Sequence, residues 1–477
     1  MSGIPRRALA DPRVLIPVAV LLFYTAFLPP VVITPDERSM VAVSLSMLEG
    51  DAAVPAQMGT PGVNGRTYSN WYPLNSILAL PAALAGRIAG RAAGLDPQYV
   101  VAPLAILVSV VATALTAGLV FAVARGLGAS SAQSVIAAFG YAFGTIALVY
   151  GRTFFADSLL ALLAIAGIHA ASRQRAGALL ALIAAASVLA KPTGIIVGAV
   201  IVATSCWRRD WKAAAWSAGG TAAGSVLYGL YNAARFGNPL VFGQRWDGFT
   251  TCCVGEALTG LSVSPGRGIM WYSPLVALGI VMVAIRIKRH PLLVPVAGIF
   301  AGFLLLHSVW GQWAGGWSWG PRLLLPAFPG LVAAAALAPR RAVVTLGLVG
   351  LLINAPLLVS SYPRYFAMAN DRGASADAQI WTFADAPLLN AWPAAVDQIR
   401  DAKGRDVRQI VRDSGKDDAR AADAEVFRIV PVWWWMLPLA GIGRGWGMLV
   451  ATVMGAVAIA LCVRVWTLGR TGEPARG

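Results

Sequence analysis

The sequence predicts an all-α polytopic membrane protein with about twelve transmembrane helices, and three observations support this fold class. Hydrophobic residues make up 57% of the 477 positions and charged residues only 13%, whereas soluble domains carry about 25% charged residues. The mean hydropathy is +0.66, and apolar runs of membrane-spanning length recur along the chain. The basic residues lie in short clusters between those runs, which is typical of cytoplasmic loops and explains the net charge of +16 without nucleic acid. A soluble enzyme, a fibrous chain and a disordered chain are therefore excluded.

The apolar runs define the candidate helices in chain order. They cover residues 14–32, 74–90, 100–124, 132–150, 156–171, 176–190, 192–207, 213–234, 271–285, 291–309, 322–338, 342–360 and 432–466. The basic clusters should all lie on the cytoplasmic side, and they are Arg6/Arg7/Arg13, Arg125, Arg173/Arg175, Arg208/Arg209/Lys212, Arg286/Lys288/Arg289, Arg340/Arg341 and Arg464/Arg470/Arg476. They can do so together only if 74–90 does not cross the membrane. We therefore expect 74–90 to be a re-entrant or interfacial helix in a long first external loop, residues 32–98, with both chain termini inside.

The acidic residues give an independent indication of domain organisation. Of the 22 acids, 11 fall between Asp371 and Glu425, so residues 359–431 are predicted to form a small external polar cap that contains short helices. Residues 1–358 precede the cap as one membrane-embedded module, and 432–477 follow it as a C-terminal membrane segment with a cytoplasmic tail. The four cysteines, two of them adjacent at positions 252 and 253, indicate neither a disulfide framework nor a zinc site.

Two adjacent carboxylates, Asp36 and Glu37, follow the first apolar run directly. One interpretation is structural: Pro35 and the residues after it predict a helix along the interface, and acids at its N-terminus are favoured by the helix dipole. The other is functional, since a carboxylate here can act as a general base for a hydroxyl or bind a divalent cation. Neighbouring residues on a helix point about 100° apart, so only one of the two is expected to face a site.

Asp157 and Lys191 are ionisable residues at the external mouths of two apolar runs. Asp157 can cap the helix that follows, because Asp is a preferred N-cap residue, but acids at the edge of a membrane are also functional candidates. Lys191, which precedes Pro192, either marks a helix break with its ammonium reaching water or binds an anion. Basic residues are not preferred on the external face, which favours an anionic partner for Lys191.

A loop of tryptophans and glycines, residues 310–319, precedes Arg322 at the start of the next apolar run. Tryptophans near a membrane edge are typical of an interfacial aromatic belt, although the same rings, Trp317 among them, can also form a wall for a sugar ring or an isoprenoid chain. The guanidinium of Arg322 suits a phosphodiester better than a point charge does. The loop 236–272, which contains Arg267, is predicted to shape the same region.

The first external loop resembles that of the C-type (GT-C fold) membrane glycosyltransferases, namely protein mannosyltransferases of family 39 and the bacterial lipid A aminoarabinose transferases. In those enzymes an Asp-Glu pair follows the first span, a Met-Leu-x-Gly-Asp helix comes next, and a Tyr/Pro-Pro-Leu segment starts an interfacial helix. The corresponding segments here are 34–38, 47–51 and 72–74. In weaker form the resemblance extends to residue 335, over roughly two thirds of the chain.

The resemblance implies a GT-C-like fold and a role for each residue at a matching position. Asp36 and Asp157 occupy the positions of the two catalytic or metal-binding acids, and Lys191 and Arg322 those of the donor phosphate ligands. The remaining candidates are assigned to substrate binding, and they are Glu37, Arg66, Tyr72, Arg152, Arg267 and Trp317. The sequence departs from the aminoarabinose branch in one respect: no lysine precedes Pro73-Leu74, so only Arg66 or Asn70 is available for that phosphate contact.

The resemblance further implies transfer of a hexosyl or pentosyl group from a polyprenyl-phosphate donor to a lipid or cell-envelope glycan. The reaction would take place on the periplasmic face of the bacterial inner membrane, with a divalent metal ion as the one conceivable cofactor and without a nucleic-acid partner. Two other classes of membrane protein predict different sequence features. A transporter or lipid-linked-sugar flippase should show two similar halves and helices broken at mid-membrane, and a non-catalytic scaffold would not need four charged residues at one surface.

Overall fold

The computed structural model describes residues 11–32, 34–93, 97–173, 177–241, 248–403, 405–413 and 431–471. Helices dominate, and those from the N-terminus to the middle of the chain are α1 (Pro12–Ala26), α2 (Pro35–Met47), α3 (Pro73–Leu78), α4 (Leu80–Ala93), α5 (Pro97–Gly126), α6 (Ser131–Gly144), α7 (Ala147–Tyr150), α8 (Ala156–Ala171), α9 (Gly177–Ala190), α10 (Ile195–Trp207), α11 (Trp211–Phe236) and α12 (Val254–Val263). The remaining ones are α13 (Ile269–Tyr272), α14 (Pro274–Arg286), α15 (Leu293–Ser308), α16 (Phe328–Ala335), α17 (Arg340–Asn354), α18 (Tyr362–Asp371), α19 (Ala376–Trp381), α20 (Pro387–Ala402), α21 (Val407–Asp413) and α22 (Arg444–Thr471).

Within the described residues, three segments are long and apolar enough to cross a membrane, namely Val100–Gly126, Arg340–Leu358 and Arg444–Arg470. Shorter apolar helices surround them: Pro12–Ala26, Ala156–Ala171, Gly177–Ala190, Pro192–Trp207, Val254–Val263, Pro274–Arg286, Leu293–Ser308 and Arg322–Ala335. The predicted all-α class is confirmed, and an apolar helical bundle of this kind suits a membrane. The count of twelve spans remains a prediction.

The first external loop is compact and carries the only strands among the described residues. β1 (Thr60–Pro61) pairs antiparallel with β2 (Thr67–Tyr68) in a short hairpin. The run predicted not to cross, 74–90, forms α3 and α4, and α4 packs along α5 and against α2. Among the described residues, neither α3 nor α4 is a candidate for crossing a membrane by length and composition; that 74–90 lies along the interface stays a prediction.

Helix boundaries follow proline and glycine. The chain breaks between α9 and α10 in a short 3₁₀ helix, Pro192–Gly194, because a proline nitrogen cannot donate to the preceding turn. The predicted apolar run 432–466 begins differently from the expectation. Its first part forms two 3₁₀ turns, and α22 starts only at Arg444, since Pro438 and Gly441, with a left-handed φ of 77°, interrupt the helix.

Small residues allow the helices to approach one another closely. A side chain at Gly350 on α17 would lie 2.0 Å from the carbonyl oxygen of Gly144 on α6, so the two backbones touch at this point. Close contacts of this kind are typical of helix pairs in membranes, where dispersion forces replace the hydrophobic effect.

The predicted polar cap is helical in its described part. Helices α18 to α21 occupy 362–413, and α18 packs on α20. The helix expected around residues 397–411 is interrupted after Ala402, and α21 starts at Val407; residues 414–430 lie outside the described part. The sulfurs of the adjacent Cys252 and Cys253 are bonded to each other, a bridge between neighbours that the sequence did not predict.

Candidate functional site

Asp157 lies in the first turn of α8, but it does not cap that helix. The N-cap residue is Phe155, and no side chain accepts a hydrogen bond from the first turn. The Asp157 carboxylate instead faces two cations from other segments. Its Oδ1 is 2.7 Å from Nζ of Lys191, and its Oδ2 is 3.9 Å from Nε of Arg322. The structural alternative for Asp157, a simple helix cap, is therefore not what the structure shows.

Burial makes this pairing significant. The side chains are only 4%, 12% and 13% exposed for Asp157, Lys191 and Arg322 respectively. An isolated charge at such a position costs several kcal/mol of solvation, so it persists only with a partner. One carboxylate facing two cations leaves one positive charge unmatched, which favours a second negative group beside them.

Asp36, in the first turn of α2, lies close to the same two cations. Arg322 and Lys191 both act electrostatically on its carboxylate. Burial raises the pKa of Asp36 above its usual value, and the two cations partly oppose this shift. Among the residues that the structure describes, none forms a hydrogen bond or ion pair with the Asp36 carboxylate. Asp36, Asp157, Lys191 and Arg322 are called the charged cluster below.

Lys191 reaches the charged cluster because the chain is broken there. Its backbone is extended, with φ −165° and ψ 134°, directly before the 3₁₀ turn at Pro192. Gly194 closes that turn, and a side chain at this position would come within 2.0 Å of the carbonyl oxygen of Ser187. The break thus directs the ammonium toward Asp157, in place of the exposed position that a snorkelling lysine would take.

Arg322 begins a 3₁₀ helix, Arg322–Ala327, that precedes α16. Its guanidinium carbon lies 4.1 Å from the centre of the Phe155 ring, a cation–π contact that fixes the side chain beside the start of α8. The buried Nε has no hydrogen-bond partner in the described part of the chain. A buried donor without an acceptor is costly, and a bound anion would satisfy it.

Glu37 holds the first external loop in place. With Thr34 it forms a capping box at the start of α2, and its Oε1 accepts a hydrogen bond of 2.6 Å from the backbone nitrogen of Phe154. Asn75 on α3 donates to the carbonyl oxygen of the same Phe154. The structural interpretation therefore accounts for Glu37, whereas its neighbour Asp36 belongs to the charged cluster.

Two further residues of this region were not identified from the sequence. His307, near the end of α15, is buried, and within the described chain neither ring nitrogen has a hydrogen-bond partner; Lys191, Asp157 and Arg322 all act on it electrostatically. Tyr362, the first residue of α18, has a buried hydroxyl without a described partner. An ionisable residue inside the apolar run 291–309 was a usable signal for the histidine, whereas nothing local distinguishes the tyrosine.

Tyr72 lies at the start of α3, beside the charged cluster. It is the N-cap residue of α3, and its ring centre is 6.2 Å from that of Tyr228 on α11. Burial raises the pKa of Tyr72 far above its usual value, and the negative charges of Asp157 and Asp36 act in the same direction. Its hydroxyl is therefore a neutral hydrogen-bonding group beside the charged cluster.

Two arginines that were predicted to bind substrate donate hydrogen bonds to backbone carbonyl oxygens instead. Arg152 donates through its three guanidinium nitrogens to the carbonyl oxygens of residues 27, 357 and 358. Arg267 donates in the same way to the carbonyl oxygens of residues 314, 266 and 316. Arg66 lies in the hairpin and pairs with Asp51 at 2.8 Å, largely exposed. The structure does not bring these three side chains into contact with the charged cluster.

The tryptophans of the 310–319 loop differ from one another. Trp319 is fully buried, and its ring nitrogen donates to Asn354; Trp313 is also buried. Trp317 is 47% exposed and stacks on Phe366 of α18, with ring centres 5.8 Å apart. Trp317 is therefore the ring of this group that could contact a ligand, and the cap supplies its partner.

The charged cluster is a poor cage for a metal ion. No group of three or more His, Cys, Asp or Glu side chains comes together among the described residues. Asp157, one of the two predicted ligands, already pairs with a lysine at 2.7 Å, and oxygen-bound divalent cations take several such ligands at once. The donor set therefore does not fit a metal held by the protein alone.

No protein-family model and no curated protein matches the chain. Two solved structures are similar to it. The crystal structure of ArnT from Cupriavidus metallidurans in the apo state has a TM-score of 0.49 and 16% identity, covering 96% of this chain and 77% of that chain. The structure of the same protein bound to undecaprenyl phosphate has a TM-score of 0.46 and 15% identity, covering 95% and 76%. ArnT is a lipid A aminoarabinose transferase of the GT-C fold, the enzyme group that the first external loop resembles. At these values neither similarity supports a residue role or an activity for this chain.

Proposed function

We propose that the protein is a glycosyltransferase that moves one sugar from a polyprenyl-phosphate donor to a lipid or cell-envelope glycan acceptor. The reaction takes place at the external face of the bacterial cytoplasmic membrane. The observation that carries this proposal is the charged cluster. Segments far apart in sequence, from α2, α8, the α9–α10 break and the start of α16, bring two carboxylates and two cations together at one end of an apolar helical bundle.

The two cations are suited to the donor phosphate. A sugar linked to a polyprenyl phosphate is a phosphodiester with one negative charge, and breaking the bond to the sugar leaves a phosphate monoester with a second charge. Lys191 and Arg322 therefore bind the phosphate more tightly in the transition state than in the ground state, which is the condition for catalysis. The buried Nε of Arg322 is a donor available for this purpose.

The two carboxylates have different roles in the reaction. The acceptor hydroxyl oxygen attacks the anomeric carbon, the electron pair of the breaking bond goes to the phosphate oxygen, and the hydroxyl proton goes to Asp36. A raised pKa makes Asp36 a better base than an ordinary surface carboxylate. Asp157 holds the two cations in position. No step requires a metal ion.

The test is the substitution Asp36→Asn, which keeps the shape of the side chain and removes its basicity. Purified protein is assayed for transfer of a labelled sugar from a panel of polyprenyl-phosphate sugars to a membrane lipid extract. Loss of a general base lowers kcat by about 10²–10⁴-fold, while thermal stability in detergent stays close to that of the wild type. A stable variant with near-normal turnover would exclude Asp36 as the base.

Glu37→Gln is the matched control, because it removes a neighbouring carboxylate that the structure assigns to the fold. The change weakens the capping box and the bond to Phe154, and loss of a cap costs roughly 0.5–2 kcal/mol of stability. We expect this variant to unfold at a lower temperature and to retain turnover below that temperature. The opposite pattern, a stable and inactive Glu37→Gln protein, would transfer the catalytic role to Glu37.

A further inference from the structure

A second cleft lies at the opposite end of α8 from the charged cluster. It encloses about 290 Å³ between the beginning of α1, the end of α5, the end of α8 and the turn before α15. His169 marks its position on α8, twelve residues after Asp157, which corresponds to about 18 Å along a helix. The cleft is therefore separate from the proposed catalytic site.

Basic side chains line this cleft together. Arg13, Arg125 and Arg173 contribute to its wall along with His169, and Arg13 and Arg173 both act electrostatically on the imidazole. Arg125 uses one nitrogen to hold the carbonyl oxygen of residue 129. In the described part of the chain, none of the three guanidinium groups has a carboxylate partner. Within the described chain, like charges thus converge at this cleft.

The preference of basic residues for the cytoplasmic side explains their presence at this end of the bundle. It does not explain their arrangement around one cleft. Arg208 and Arg341 belong to the same predicted face and are exposed like the three cleft arginines, yet they do not line the cleft. Three guanidinium groups around one concavity can contact a single anion together, which separate arginines on a surface cannot.

The size and the remaining lining of the cleft indicate the kind of ligand. A cavity of about 10–15 Å³ is enough for one water molecule. The cleft, at about 290 Å³, therefore has ample room for a polyatomic anion. Val123 and Leu292 form an apolar flank beside the basic groups. A ligand with an anionic head and an apolar continuation fits both parts of the wall.

We propose that this cleft binds the phosphate headgroup of an anionic phospholipid in the cytoplasmic leaflet. Guanidinium groups present planar pairs of N–H donors that match phosphate oxygens, and basic pockets between helices on this side of a membrane suit such headgroups. Inorganic phosphate shares the anionic chemistry but has nothing to place against the apolar flank. The lipid is therefore the preferred ligand.

The experiment measures lipid binding to the purified full chain in neutral detergent by native mass spectrometry. Phosphatidylglycerol, phosphatidylcholine and inorganic phosphate are titrated separately. We expect the anionic lipid to bind best, and the triple variant Arg13→Gln/Arg125→Gln/Arg173→Gln to bind it about tenfold more weakly or worse. The triple variant Arg208→Gln/Lys212→Gln/Arg341→Gln removes equal charge from the same predicted face outside the cleft and should bind as the wild type does.

A single substitution keeps the test independent of folding. Ser172 lines the cleft and is exposed, so Ser172→Glu adds a repelling carboxylate without disturbing the bundle, and Ser172→Gln is its neutral counterpart. Weaker binding of phosphatidylglycerol by the Glu variant alone supports the proposal. Equal binding of phosphatidylcholine, or wild-type affinity in both the triple cleft variant and Ser172→Glu, overturns it. Inorganic phosphate that binds as tightly as the lipid would refute the lipid assignment.

Discussion

The two ends of α8 carry charge in opposite ways. At its N-terminal end Asp157 is buried and faces Lys191 and Arg322, with Asp36 beside the same two cations, so two carboxylates match two cations. At its C-terminal end His169 and Arg173 belong to an exposed cleft where the described basic groups have no acidic partner. One helix therefore joins a buried, paired cluster to an open, unpaired one.

The difference separates positive charge that the predicted topology favours from charge that the proposed reaction would use. Exposed basic residues at a cytoplasmic end cost little, because water solvates them, and the membrane favours them there. Burying a carboxylate with two cations costs solvation free energy and so lowers the stability of the fold. Such an arrangement is expected where the buried charges also serve a function. Binding and stabilising a phosphate that gains charge is a function of that kind.

Thiol labelling tests whether the two ends of α8 lie on opposite sides of the membrane. A cysteine introduced at the exposed Gln57 in the first loop and another introduced at the exposed Ser172 are treated in intact cells with a membrane-impermeant thiol reagent. We expect labelling at position 57 and none at 172 above the level of the unmodified chain. Labelling at 172 would contradict the assignment of the two faces.

The next largest effect concerns stability. Asp157→Asn removes the carboxylate that pairs directly with the buried Lys191 and Arg322, and removing one partner of a buried pair costs about 3–5 kcal/mol. Arg173→Gln, near the other end of the same helix, changes an exposed side chain and is expected to stay within about 0.5 kcal/mol of the wild type. Unfolding of both variants in mixed micelles compares them directly. Equal losses of stability would mean that burial does not distinguish the two ends.

A smaller effect concerns pH. The pKa of Asp36 is raised by burial and partly lowered again by Arg322 and Lys191. A base must be ionised, so kcat/KM should fall as the pH drops through this raised pKa, and Arg322→Gln should move that acid limb to higher pH because it removes a cation. Arg66→Gln, which alters a cation paired with Asp51 in the hairpin, should leave the limb in place. If neither Arg322→Gln nor Arg66→Gln moves the acid limb, Asp36 is not the base.

Local signals in the sequence predicted much of this arrangement. Pro192 indicated the break that directs Lys191 to the site, and charge segregation predicts that 74–90 does not cross. The proximity of Asp36, Asp157 and Lys191 was implied by the resemblance, since each residue follows or precedes an apolar run on the same predicted face.

The remainder depends on contacts that no local pattern records. Arg152 and Arg267 look like ligand-binding residues in the sequence, yet both satisfy backbone carbonyls contributed by distant segments. Which carbonyls lack a partner is decided only when the loops fold. Tyr362 is similar, because its position in the site requires α18 of the cap to pack beside Tyr150 of α7.

Lys191 and Arg322 are proposed to bind the donor phosphate. The affinity of the purified protein for a fluorescent polyprenyl phosphate measures this contact. Each charge-assisted contact is worth about 1.5–3 kcal/mol, so Lys191→Met and Arg322→Gln should each weaken binding by roughly one to two decades. The double variant Asp157→Asn/Lys191→Met removes the ion pair as a unit and should regain stability but not affinity. Recovery of wild-type affinity in the double variant, or unchanged affinity in the single ones, would contradict the claim and leave the charged cluster a structural feature.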